Sequence, residues 1–282
     1  MKAIPRISAP TREAFEADYV RASRPVVIEG AMAAWPALGK WSQEYLKTSA
    51  VASRVVPVEV YARGNRYVFP IWDYRPMRDM PLGEYMEKVA SDEARRFYLA
   101  DEEIKTSLPE LWRDVVLPPL FDRDRLAKTG MFVGRDTVDA AHCHPIDQVL
   151  VCQVVGERRI VLFEPDDGAL LAPAPWYSPN FNWATLDFDR IDPSEDPRLA
   201  ARGYECTLAP GEMLFVPVQW WNLMIGAGFN AAVCLIWGAK LRDWPFPYSG
   251  ARVIAAGIVN NPVVRPLLLP WLQKRFAAES PA

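Results

Sequence analysis

The sequence predicts a mainly β barrel with helical additions at both ends, and three observations point to it. From residue 131 to residue 237 the chain is a succession of short β-rich runs, at 131–134, 142–155, 159–163, 205–208, 213–216, 221–225 and 230–237, separated by Gly, Pro and Asp. Many short strands with turn signals between them argue for a barrel or a sandwich. Half of the 282 residues are hydrophobic, enough to bury a sizeable core in one domain. The chain has only two histidines, His142 and His144, and they fall inside one of these runs. Spaced i and i+2 on a strand, both imidazoles share one face, which in a barrel is the interior.

The elements follow in chain order. Residues 11–22 read as a short amphipathic helix opened by Thr11, with Phe15 and Tyr19 on one face. Residues 24–28 form a β-type run stopped by Gly30, and 31–41 a turn-rich connection. Ser42 caps a helix over SQEYLKT. Residues 51–60 and 66–71 read as strands, 81–89 as a helix and 96–99 as another strand. The segment from about Pro165 to Arg202 is long and rich in Pro, Asp and aromatics, the composition of a lid or a substrate-binding insert. After Asp243 the chain turns helical again. The expected organisation is one domain over 1–282: an N-terminal helix and strand part (1–94), a barrel core (about 95–240) and a C-terminal helical part (243–282).

Composition narrows the function classes. A net charge of −3 favours neither nucleic acid nor an anionic membrane as partner. The first residues carry no apolar signal core, so a cytoplasmic location is expected. The apolar stretch 253–272 contains Asn260, Asn261, Arg265 and three prolines, so it makes a poor membrane span and a better homodimer surface through the C-terminal helices. The four cysteines form no CxxC pair and are expected to stay thiols. Eleven tryptophans suggest aromatic-lined cavities or interfaces as well as core. Cys143, between the histidines, points to the opposite face and reads as core.

Two imidazoles on one interior face suit a divalent transition metal, or a hydrogen-bonded pair without metal. Their surroundings add information. HCHPIDQ (142–148) runs into CQVVGERRIVLFEP (152–165), and far downstream comes LAPGEMLFVPVQWWN (208–222). Upstream lie RPVVI (24–28) and WPAL (35–38) followed by Trp41, and LDFD (186–189) sits in the long loop. Taken in order and spacing over roughly residues 20–240, these motifs resemble the JmjC-type proteins of the cupin-like class, including the asparaginyl hydroxylase of the hypoxia response.

The resemblance implies a double-stranded β-helix (a jelly-roll) that binds Fe(II) through two histidines and one carboxylate and uses 2-oxoglutarate and O2. Three protein ligands then leave open positions for co-substrate and oxygen. At the matching positions this chain has His142 for the first ligand, His144 for the aspartate and Asn222 for the distal histidine. In the broader cupin pattern a glutamate comes four or five residues after an HxH pair, and Gln148 holds the four-residue offset; a bulge in this stretch would also bring Asp147 near the metal. The resemblance further implies co-substrate contacts at Asp139, where the relatives have threonine, at Arg158, at Tyr98 and at Cys234. An acid at 139 would repel a dicarboxylate, whereas a cation at 158 would hold one. Trp176, Tyr177, Phe181 and Trp183 in the lid, and Trp221 beside Asn222, are candidates for the substrate wall. Three functions are therefore open: an oxygenase-like hydroxylase with an atypical metal site, a pseudo-oxygenase that binds a ligand or protein partner without turnover, or a cupin-type enzyme using Zn, Ni or Cu. The substrate would be a protein side chain or a small molecule.

Overall fold

The computed structural model describes residues 1–61, 77–268 and 271. The strand expected at 66–71 lies outside these residues. Twelve strands join one sheet system: β1 (Lys2–Ala3), β2 (Arg6–Ser8), β3 (Val26–Glu29), β4 (Val55–Val60), β5 (Met77–Pro81), β6 (Phe97–Glu103), β7 (Leu126–Arg135), β8 (His142–Cys143), β9 (Asp147–Phe163), β10 (Tyr204–Leu208), β11 (Met213–Val216) and β12 (Trp221–Gly238). The main path runs β2-β3-β11-β9-β12-β7-β6-β4-β5, with β10 on the far half of β9 and β8 on the start of β12. The architecture is mainly β, as the strand pattern predicts, and a jelly-roll, as the resemblance implies.

The spine is the antiparallel pair β9 and β12, in register from Trp221↔Phe163 to Gly238↔Asp147. The sequence suggests two runs on each side of a break. The structure instead makes each pair of runs one long strand, because the breaks are bulges. The register shifts between Ala227 and Ala231, opposite Gly156 at φ +72°. A bulge lets the ladder continue while the strand bends, so the punctuation marks a corner rather than an end.

Period-2 alternation sorts the side chains of the spine onto two faces. Val149, Val151, Leu214, Met224, Cys234 and Ile236 turn inward. Leu150, Cys152, Phe215, Val233 and Leu235 turn outward, onto the N-terminal elements. There Phe15 meets Phe215 edge-on at 4.9 Å. Each such aliphatic or aromatic side chain, fully buried, stabilises the fold by roughly 1.5–3 kcal/mol. At the other end, Trp221, Leu223, Val161 and Phe163 pack outward beneath the 165–202 loop.

The flanking helices form near their expected places. Thr11 Oγ1 accepts from Ala14 N, and the helix Arg12–Phe15 continues as a π-helical turn over Glu16–Val20. Ser42 caps Gln43–Thr48 through Tyr45 N. Leu82–Ala90 and Tyr248–Val259 are helical. Ile254, Ile258, Val263 and Leu267 of the C-terminal part stay exposed on the single chain. Among the described residues no helix is long and apolar enough to cross a membrane.

Candidate functional site

The inward faces of the barrel enclose a cavity of about 250 Å³. His142 and His144 both line it, with Tyr98, Asp139, Trp183 and Cys234. Residues far apart in the chain meet here because β6, β8, β9 and β12 turn alternate side chains to the same interior.

The two imidazoles are brought together, with ring centroids 5.2 Å apart and planes at 63°. His142 Nδ1 lies 2.9 Å from the Ala140 carbonyl, which fixes the proton on Nδ1 and leaves Nε2 as the basic nitrogen. Its ring stacks on Trp183 at 4.3 Å and 25°. His144 borders the cavity, but packing on its other sides desolvates it. Burial first, then His142 and Lys128, hold its pKa at about 3, so the ring is neutral at pH 7.

That shift sets a pH dependence. The folded pKa of His144 lies below its unfolded value of about 6.5, so between these limits the unfolded chain takes up a proton that the folded chain refuses. Stability therefore falls as pH drops through about 6.5, by up to about 1.4 kcal/mol per unit from this group. His144→Gln should flatten the loss between about pH 7 and pH 5. Urea midpoints of both proteins in the presence of a chelator check it; an unchanged pH dependence in the variant would count against the assignment.

Asn222 sits on β12 directly opposite His142 on β8. Its amide Nδ2 donates to the His142 main-chain carbonyl at 2.8 Å, and its buried Oδ1 has no hydrogen-bond partner among the described residues. The side chain is buried and does not contribute to the cavity wall. Gln148 and Asp147, at the start of β9, do not line this cavity either. Gln148 accepts from Val218 N through Oε1 at 2.9 Å and faces a separate cleft beside Trp237.

Behind the part of the wall formed by Asp139 and Met224 lies Arg158, with its side chain only 1% exposed. Its Nη1 is 3.9 Å from Asp139 Oδ2, and Asp139 also accepts from the Tyr98 hydroxyl at 3.2 Å. Burial alone would lower the Arg158 pKa, but Tyr98 and Asp139 outweigh it and the guanidinium stays charged. Nε and Nη2 of Arg158 are buried without a hydrogen-bond partner among the described residues. Cys234 lines the cavity nearby, and burial pushes its thiol well up, away from nucleophilic reactivity.

Of the aromatics expected on the wall, only Trp183 reaches the cavity. Tyr177 is buried against Val259, Trp176 is partly exposed beside Tyr177, and Phe181 and Trp221 line a shallow cleft on the outer face with Cys143. The 165–202 segment is therefore anchored mainly by its rings. Sequence reasoning missed Glu59, Tyr61, Asp101 and Phe132, which complete the wall. A glutamate in an otherwise apolar strand, Val55–Val60, was the available signal for the first of these. Glu59 is buried and accepts from the Tyr61 hydroxyl.

Comparison with known proteins places this geometry. A family model described as a cupin-like domain matches residues 12–237. Lysine-specific demethylase 8 of Xenopus tropicalis is 31% identical over 242 residues, covering 83% of this chain and 53% of that protein. Lysine-specific demethylase JMJ30 of Arabidopsis thaliana is 29% identical over 248 residues, covering 86% and 56%. The tRNA wybutosine-synthesizing protein 5 of Gallus gallus is 26% identical over 257 residues, covering 83% and 76%. The chain thus spans a little over half the length of the demethylase relatives it matches.

Proposed function

Because the chain belongs to the JmjC-type cupin-like family, we propose that its barrel cavity is a ligand-binding pocket that has left the Fe(II)- and 2-oxoglutarate-dependent oxygenase cycle its relatives generally use. The donor set carries this reading. A facial triad for Fe(II) combines two neutral imidazoles with one anionic carboxylate. At those positions this chain offers two imidazoles and an amide, and the amide Nδ2 is bonded to the His142 carbonyl. Among the described residues no three His, Cys, Asp or Glu side chains are grouped to hold a metal. Losing the carboxylate removes the charge that would offset a divalent cation. The residues present do not fit a two-histidine, one-carboxylate iron centre.

The ligand class follows from charge and size. A cavity of about 250 Å³ accommodates a small molecule or one protruding side chain. The net charge of −3 supports a small molecule or a protein side chain over nucleic acid. Incubating the purified chain with Fe(II), 2-oxoglutarate, ascorbate and O2 tests the reading. Succinate is expected to stay at the level of a heat-inactivated control, and enzyme-dependent succinate would overturn the proposal.

One observation favours a second reading, a cupin-type centre for Zn, Ni or Cu. Two imidazoles bound to one such ion place their ring centroids about 5 Å apart, close to the 5.2 Å found here. Stoichiometric metal in the purified protein that disappears in His142→Ala would select it.

A further inference from the structure

Building on the pocket reading, we propose that Asp139 is a built-in counter-ion in the cavity wall, paired with the buried Arg158, so that the native pocket excludes dicarboxylates and removal of this one charge creates a dicarboxylate site. Arg158 is a cation buried directly behind the cavity wall, against Asp139 and Met224, a position where its charge needs a carboxylate to balance it. Here the completing carboxylate comes from the chain itself, 3.9 Å away, with its side chain only 10% exposed. Tyr98, the neutral donor next to it, is turned to the same acid.

The other cation near the cavity is committed in the same way. Lys128 Nζ is 2.5 Å from Asp101 Oδ2. Three carboxylates, Glu59, Asp101 and Asp139, therefore line the cavity, while both of these cations already have an acidic partner. A dianion entering would meet like charge at short range in a poorly solvated space, where such repulsion amounts to several kcal/mol.

The pairing with Asp139 is also incomplete. At 3.9 Å it is an ion pair without a short hydrogen bond, and Nε and Nη2 have no acceptor among the described residues. A guanidinium presents its donors as a planar fork that matches a carboxylate in two-point contact. With the charge of residue 139 removed, that fork is free to take a ligand carboxylate, and the Tyr98 hydroxyl can turn to the same anion.

The test is calorimetric titration of the full chain with glutarate and with 2-oxoglutarate, with butyrate as the monocarboxylate control. The native protein should show no saturable dicarboxylate binding up to roughly 1 mM. Asp139→Asn should bind both dicarboxylates roughly tenfold or more tightly than the native chain and should rise in Tm when they are added. Arg158→Met in the Asp139→Asn background should abolish the gain.

Three results would overturn the proposal: a native chain that binds dicarboxylate as well as Asp139→Asn, a folded Asp139→Asn that gains nothing, or a gain that survives Arg158→Met. If Asp139→Asn does not fold, Asp139→Ser takes its place, and the native titration still decides by itself, since saturable binding there contradicts an occupied site. Native binding without succinate formation removes the counter-ion alone. Succinate formation removes the pocket reading as well.

Discussion

Replacing Arg158 with alanine is expected to destabilise the protein by about 3–5 kcal/mol, the range found when one partner of a buried ion pair is removed. Two effects add. Asp139 is left as a largely buried carboxylate with only the Tyr98 hydroxyl as a hydrogen-bond donor among the described residues, and an uncompensated buried charge costs several kcal/mol. The volume of one of the largest fully buried side chains in the molecule also becomes a void. A surface pair such as Arg198 and Asp196, with the arginine 76% exposed, should change stability by less than about 1 kcal/mol on the same truncation. The decisive comparison is Arg158→Met combined with Asp139→Asn. It removes both charges and most of the void, so it should recover much of the loss, and the coupling energy from a double-mutant cycle should exceed about 1 kcal/mol. Guanidinium-chloride midpoints at constant m-value give all four corners. Independent, additive losses would mean that the two side chains do not sense each other.

This pair also shows what a linear chain reveals and what it hides. The His142 and His144 spacing was legible because strand alternation is a local rule: i and i+2 face the same way wherever the strand lies. Arg158 was legible only through the family pattern, since nothing local says that an arginine in GERRI turns inward and its neighbour Arg159 outward to Asp192 and Glu205. Asp139 was expected as a departure from that pattern, but its partnership with Arg158 depends on β9 and the segment before β8 meeting across the barrel. Glu59 escaped notice because its strand reaches the cavity through β6, a pairing set by tertiary contacts. The lid aromatics were equivalent in sequence and are not equivalent in space. Trp183 was singled out by the isolated bridge to His142 that folds the loop back onto β8, while its neighbours fill gaps under the loop. The strands from β6 onward are legible in the sequence, whereas β1, β2 and β5 are not, and the continuity of β9 and β12 is hidden because a glycine at a bulge and a glycine at a turn read alike until the opposite strand is known.

That ambiguity at Gly156 leads to the second large effect. Gly156→Ala is expected to cost about 3 kcal/mol or more. The residue sits at φ +72°, where an L side chain alone costs roughly 1–2 kcal/mol. A Cβ built there would lie 2.3 Å from the Phe229 carbonyl and 3.0 Å from the Asn230 side chain. The first obstacle is backbone and cannot rotate away, so β9 and β12 must separate at the bulge. Separation breaks a buried network: Gln153 Nε2 donates to the Val155 and Gly156 carbonyls and to Asn230 Oδ1, and Asn230 Nδ2 donates to Ala227 O. Each buried group left unpaired adds about 1–3 kcal/mol. Gly228 provides the internal control. It also has positive φ, +63°, but nothing lies within 4 Å of its built Cβ, so Gly228→Ala should cost only the conformational term, about 1 kcal/mol. Because Arg158 is two residues beyond Gly156 on the same strand, opening the bulge also displaces the guanidinium from Asp139. The Gly156→Ala variant should therefore lose the Arg158 to Asp139 coupling measured in the double-mutant cycle, whereas Gly228→Ala keeps it. Equal losses of stability in the two alanine variants would show that backbone conformation, and not the packing of the bulge against β12, sets the requirement for glycine at 156.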